Sequence, residues 1–189
     1  MLVDDLFQTN IQLSVQDLHI IKQECSQFIQ ESYGIPIHKA LPSTYPDLHK
    51  VKARFKKKTD EVTDAFNKAF ETDVAKLRQR AIFAYSTPPI LTEDTDLFYV
   101  FPINNYKFLY SQEVTNSSSD YRQVINTLFE TFHNTDKAIE IVTDLLKYTY
   151  STENLYEGIV AKAEIIFYGI PFYYAVRVDP NLSYKQIIK

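Results

Sequence analysis

Glycine is nearly missing from this chain. Three occur in 189 residues, Gly34, Gly158 and Gly169. They are too few and too scattered to write a G-x-G-x-x-G turn or a G-x-x-x-x-G-K-[ST] loop, so a glycine-cradled phosphate site is excluded. Cysteine is single, Cys25, which rules out an internal disulfide and a cysteine-built zinc site. Histidine is scarce too: His19, His38, His49 and His133 include no i, i+4 pair and no H-E-x-x-H, which argues against a metal hydrolase. No G-x-S-x-G supports a serine hydrolase. The net charge of −4 is not that of a general nucleic-acid binder. No apolar stretch approaches the ~18 residues that a membrane-spanning helix needs. The opening MLVDDLFQTN carries Asp4 and Asp5 where a secretory leader has a basic region and an apolar core. A soluble protein of a reduced, intracellular compartment is the expectation.

What the chain does have is aromatic rings. There are 14 Tyr and 13 Phe but no Trp, so Tyr and Phe must carry much of the core. With 45% hydrophobic and 23% charged residues, the composition is globular, and one domain spanning 1–189 is expected, with a helical lead-in over about 1–34. Apolar residues recur at helical spacing over 15–32 (Leu18, Ile21, Cys25, Phe28, Ile29), with Ser14 and Asp17 in a capping-box arrangement and Gly34 placed to end the helix. Cys25 falls on the apolar face as a small core residue. Further helices are expected over 60–71, 120–132 and 136–149.

Strands are expected over 35–41, 50–58, 81–85, 97–103 and 106–110. The last two flank Asn104-Asn105, a hairpin signal. The segment KVKARFKKK (50–58) alternates basic and apolar residues, as a strand with one wet face does. It is either an edge guarded by lysines or an anion site. The longest apolar run, AKAEIIFYGIPFYYAVRV (161–178), predicts two strands turning at Gly169–Pro171, and Ser151–Gly158 and 179–189 are left as a capped turn and a short tail. Helices cluster while strands come in adjacent pairs, so the class is α+β.

Chemistry collects at strand ends. His38-Lys39 follows the apolar 35–37, Ser86 and Thr87 end the strand at 81–85, and Glu164 opens the closing run. This order, basic residue, then Ser/Thr, then Glu, together with the segments ECSQFIQESYGIPIHKA, KVKARFKKK, RAIFAYST, FPINNYKFLYS and AEIIFYGIPFYYAV, resembles the R-S-E mono-ADP-ribosyltransferases, and most closely a group of phage-encoded proteins with that fold. The resemblance implies split antiparallel β-sheets flanked by helices. It also implies cleavage of the nicotinamide–ribose bond of NAD, used as substrate, with Glu164 as the carboxylate that steadies an oxocarbenium-like transition state.

Lys39, Ser86 and Thr87 would line the NAD cleft, with Arg54 or Arg80 supporting the dinucleotide. Lys162, two residues before Glu164, would face the acceptor. A host protein or a virion protein is the implied partner, in the host cytoplasm or the virion, with neither nucleic acid nor membrane expected as one. The chain departs from the family at Lys39 and Ala40, where Arg and Gly are expected, at Lys162, where Glu or Gln is common, and at Pro88-Pro89, which lack a Tyr-Gly. Lysine keeps the charge of arginine but loses its bidentate fork. Two readings stay open: a transferase acting on a host protein, and a non-catalytic protein on the same scaffold, either a virion component or a binder of a host factor.

Overall fold

The computed structural model describes residues 13–53, 60–70, 77 and 80–189. In chain order these form α1 (Val15–Glu24), α2 (Ser26–Glu31), β1 (His38–Pro42), β2 (Leu48–Lys52), α3 (Glu61–Ala69), β3 (Ile82–Tyr85), β4 (Thr95–Pro102), β5 (Lys107–Tyr110), α4 (Ser117–Phe132), α5 (Thr135–Thr149), α6 (Leu155–Val160), β6 (Glu164–Tyr168), β7 (Phe172–Arg177) and α7 (Tyr184–Ile188). The class is α+β. Local capping chemistry starts the helices where the sequence puts it. Ser14 and Asp17 close a capping box on α1. Asp60 accepts from the Thr63 N–H at 2.8 Å, and Asn116 and Asn134 cap α4 and α5. Each such cap is worth about 1 kcal/mol.

All seven strands join one antiparallel sheet in the order β2-β7-β4-β1-β3-β6-β5. The sheet has a narrow waist. β1 and β4 are matched over five residue pairs and β3 and β6 over four, whereas β1 and β3 meet only at His38 opposite Tyr85. Two apolar clusters fill the molecule. One contains Ile21, Cys25 and Phe28 of the lead-in with Phe98, Phe101, Ile165 and Phe167. The other joins Val62 and Phe66 of α3, Tyr121 and Ile125 of α4 and Val142 and Leu146 of α5 to Leu109, Ile166 and Tyr168. Alternation along β6 therefore feeds both clusters, which is why every residue of this strand is buried. Burying each of Ile165, Ile166 and Phe167 completely contributes ~2–3 kcal/mol.

Neither adjacent strand pair is a hairpin. β4 pairs with β1 and β7, while β5 pairs with β6; β6 pairs with β3 and β5, while β7 pairs with β2 and β4. Both corners cross from one half of the sheet to the other. Asn104 shows why the first corner is not a hairpin turn. Its backbone N–H donates to the Glu24 carbonyl at 2.7 Å. Its side-chain amide donates to the Gln23 carbonyl at 3.0 Å, and its Oδ1 accepts from the Gln27 N–H at 2.9 Å. These bonds replace the intrahelical ladder, so the single helix expected over 15–32 breaks at Cys25 into α1 and α2.

Other boundaries move as well. β1 starts three residues later than expected. β2 begins at Leu48 and forms a sheet edge, with Val51 buried and Lys50 and Lys52 exposed, the arrangement that guards an edge; the rest of the basic run, 54–58, lies outside the described residues. The stretch expected as a turn contains α6. Its Gly158 has low helix propensity, but a Cβ there would fall 2.6 Å from the Tyr110 ring, so only glycine lets this helix sit against β5. The expected tail holds α7, started by a Ser183–Gln186 capping box. Replacing Asn104 with Ala removes its side-chain bonds to Gln23, Ser26 and Gln27 at the helix break, and we expect a loss of about 1–2 kcal/mol in urea-induced unfolding.

Candidate active site

Glu164 opens β6, and its register decides what it meets. It lies opposite Tyr85 of β3, Tyr85 lies opposite His38 of β1, and His38 lies opposite Tyr99 of β4. Directly opposed residues of an antiparallel ladder share a face, so Glu164, Tyr85, His38 and Tyr99 form one row across the waist of the sheet. Side-chain geometry agrees. The Tyr85 hydroxyl donates to Glu164 Oε1 at 2.9 Å, and the His38 and Tyr99 rings are 5.5 Å apart. The row runs from the first turn of α4, whose Ser117 N–H donates to Glu164 Oε2 at 3.0 Å, to α7, whose Tyr184 ring packs 5.1 Å from Tyr99.

The carboxylate is 4% exposed. A buried carboxylate needs donors on both oxygens, and Tyr85 and the start of α4 supply them. A helix N-terminus is also where a negative charge is favoured. His38 is 8% exposed, and its imidazole is held below the ordinary value of 6.5, because burial outweighs the Tyr85 and Ser86 carbonyls that act the other way. Its Nδ1 and the Ser117 Oγ are buried without a hydrogen-bond partner. Two orphaned polar atoms thus lie on the row or beside Glu164.

The residues expected at the site are dispersed around this row. Ser86 is half-buried, and its hydroxyl donates to the Ala163 carbonyl, next to Glu164, at 3.4 Å. Thr87 follows it, exposed. Lys39 is on the other face of β1. It shares that face with Ile37 and Leu41, both buried in the core, and its Nζ donates to the Phe83 carbonyl at 2.6 Å. Past the single His38–Tyr85 pair, β1 no longer supplies donors to β3, and the Lys39 ammonium supplies one from its side chain. Arg80 is exposed just before β3. Lys162 is exposed in a left-handed conformation (φ 59°), its N–H donating to the Ile159 carbonyl at 3.1 Å where α6 ends. Arg54 lies outside the described residues.

Sequence reasoning marked the pair His38-Lys39 but gave the role to Lys39, and it missed Tyr85 and Ser117. The choice within the pair was legible: in Ile37-His38-Lys39-Ala40-Leu41 the apolar phase falls on 37, 39 and 41, so alternation already assigns Lys39 to the core side and His38 to the opposite one. Ser117 had no local signal, because only folding brings α4 onto β6.

The row sets a carboxylate, a phenol and an imidazole in line across three neighbouring strands. Among the described residues, no helix is long and apolar enough to cross a membrane and no cluster of His, Cys, Asp and Glu could hold a metal ion. No protein-family model, curated protein or solved structure matches the chain.

Unfolded, His38 titrates near 6.5, and folded it titrates lower. The unfolded state therefore binds the extra proton first as pH falls, and stability drops from about pH 6.5 downward until the folded imidazole itself protonates. Urea unfolding across that range should show this slope in the wild type and a flatter one in His38→Gln.

Proposed function

We propose that this protein is an NAD-dependent mono-ADP-ribosyltransferase that modifies a host protein, built on an ADP-ribosyltransferase-like fold. One observation carries the reading. Glu164 heads β6 in a single cross-strand row with Tyr85 and His38, on three neighbouring strands that meet where the sheet is narrowest. That waist fits the split sheet the resemblance implies, and the row occupies the strands on which the basic, Ser/Thr and Glu positions were expected.

In this reaction the bond between C1′ of the ribose and the nicotinamide nitrogen breaks, and nicotinamide leaves with the electron pair. A nucleophile of the acceptor protein bonds to C1′ and loses its proton. Glu164 holds a ribose hydroxyl and offsets the positive charge that develops on the sugar. His38, neutral near pH 7, supplies a hydrogen-bonding group where the layout calls for arginine. Lys39 is drawn off to the Phe83 carbonyl, and Arg80 precedes β3 at the end away from Glu164, so the dinucleotide is left to the Ser86 and Thr87 hydroxyls at the Glu164 end.

A second reading, a non-catalytic protein on the same scaffold, draws on a different observation. Both oxygens of Glu164 already bond to the protein, through Tyr85 and Ser117. A carboxylate used this way is an anchor for α4 and needs no substrate.

Label transfer from radiolabelled NAD to host lysate separates the two. The transferase reading expects transfer by the wild type, a loss of about 10²–10³-fold in Glu164→Gln, and an NAD-dependent rise in melting temperature in both proteins. No transfer and no NAD stabilisation by either protein would leave only the scaffold.

A further inference from the structure

The opposite face of the β5–β6 ladder carries a cavity of about 420 Å³, lined by Gln30, Glu31, Tyr33, Phe108, Asn154 and their neighbours. Phe108 is in phase with Phe167 and out of phase with Glu164, so this cavity and the Glu164 row do not share a face. The cavity combines ring faces with one carboxylate. Glu31 is half-buried, and its oxygens accept from the Gln27 amide at 3.0 Å and from the Tyr106 hydroxyl. Both partners are neutral. Among the described residues, no lysine, arginine or histidine forms a salt bridge with it.

Tyr33 does nothing for the core. It is 78% exposed, rests edge-on against the half-exposed Tyr156 at 5.0 Å, and holds a left-handed backbone (φ 51°) that a bulky side chain adopts only at a cost. Asn154, on the cavity wall, also has a left-handed backbone (φ 54°). Its amide nitrogen donates to Glu157 Oε1, which leaves its own oxygen as an acceptor.

From this geometry we infer that the cavity binds an arginine side chain presented by a partner protein. An uncompensated carboxylate calls for a cation, and a flat ring face beside it calls for a planar one. A guanidinium satisfies both, donating in parallel to Glu31 while stacking on Tyr33 or Phe108. An ammonium would answer the charge but not the plane. An uncharged urea group would answer the plane but not the charge.

The test is an NMR titration of the full chain, without NAD, using three probes: N-acetyl-arginine amide, N-acetyl-lysine amide and N-acetyl-citrulline amide. Because NAD is absent, the outcome is independent of any transferase activity. The expected result is a saturable, millimolar response to the arginine probe centred on Tyr33, Phe108 and Asn154, with weaker binding of lysine and none of citrulline. Glu31→Gln, which keeps an acceptor for Tyr106, and Tyr33→Ala, at an exposed position, should each weaken arginine binding about tenfold with unchanged far-ultraviolet circular dichroism. No saturable response to arginine, equal binding of lysine or citrulline, or wild-type affinity in either variant overturns the assignment.

Discussion

Everything near Glu164 depends on one cross-strand contact, the meeting of β1 and β3 at His38 and Tyr85. On either side of it the sheet is held by ladders of four or five pairs. At the contact itself there is one pair, and the Lys39 ammonium stands in for the next donor by reaching the Phe83 carbonyl. A buried carbonyl without a partner costs about 1–3 kcal/mol, so a charged side chain there is in keeping with the local physics. The row of Glu164, Tyr85, His38 and Tyr99 crosses the sheet at this contact, between the start of α4 and α7.

Glu164 carries two demands at once. Its carboxylate ties α4 to the sheet through the Ser117 N–H, and it lies beside the orphaned Ser117 Oγ and in the same row as the orphaned His38 Nδ1. The first demand is structural and is met within the chain. The second is unmet among the described residues. The proposed chemistry rests on the cross-strand row that Glu164 heads, and the scaffold reading rests on the first demand. Burial of His38 adds to the case for a site, because a neutral imidazole is a better hydrogen-bonding partner for a hydroxyl than for a phosphate.

Elsewhere the fold is stapled by polar groups rather than by long ladders. Asn104 bonds to both sides of the α1–α2 break and so ties the lead-in helices to the β4–β5 corner. Arg177 of β7 bonds to Asp47 at 3.0 Å and to Asp96 and the Tyr45 carbonyl, while its guanidinium packs over Phe98 at 4.9 Å. One residue thereby joins β7, β4 and the loop before β2. Such links suit a chain with three glycines, whose corners are made by side-chain capping as much as by backbone freedom.

The order and type of the main elements were legible in the amino-acid sequence, because periodicity and capping are local. Ser14, Asp60, Asn116 and Asn134 each begin a helix for reasons contained within four residues, and the buried alternation of Val51 between Lys50 and Lys52 needs no partner strand to be seen. The short helix at Gly158 was hidden, since its glycine weakens the local signal and its packing on Tyr110 is a tertiary fact. Pairing was hidden too. A strand has two chemically equivalent edges, so nothing local tells β6 to bond to β3 and β5 instead of its sequence neighbour β7. The presence of Glu164 at the head of a buried strand was determined by the sequence. Only the tertiary structure decided that Tyr85 stands beside it, with His38 one strand further along the same row, because register is set by packing across the whole sheet, and a shift of one residue sends a side chain to the other face.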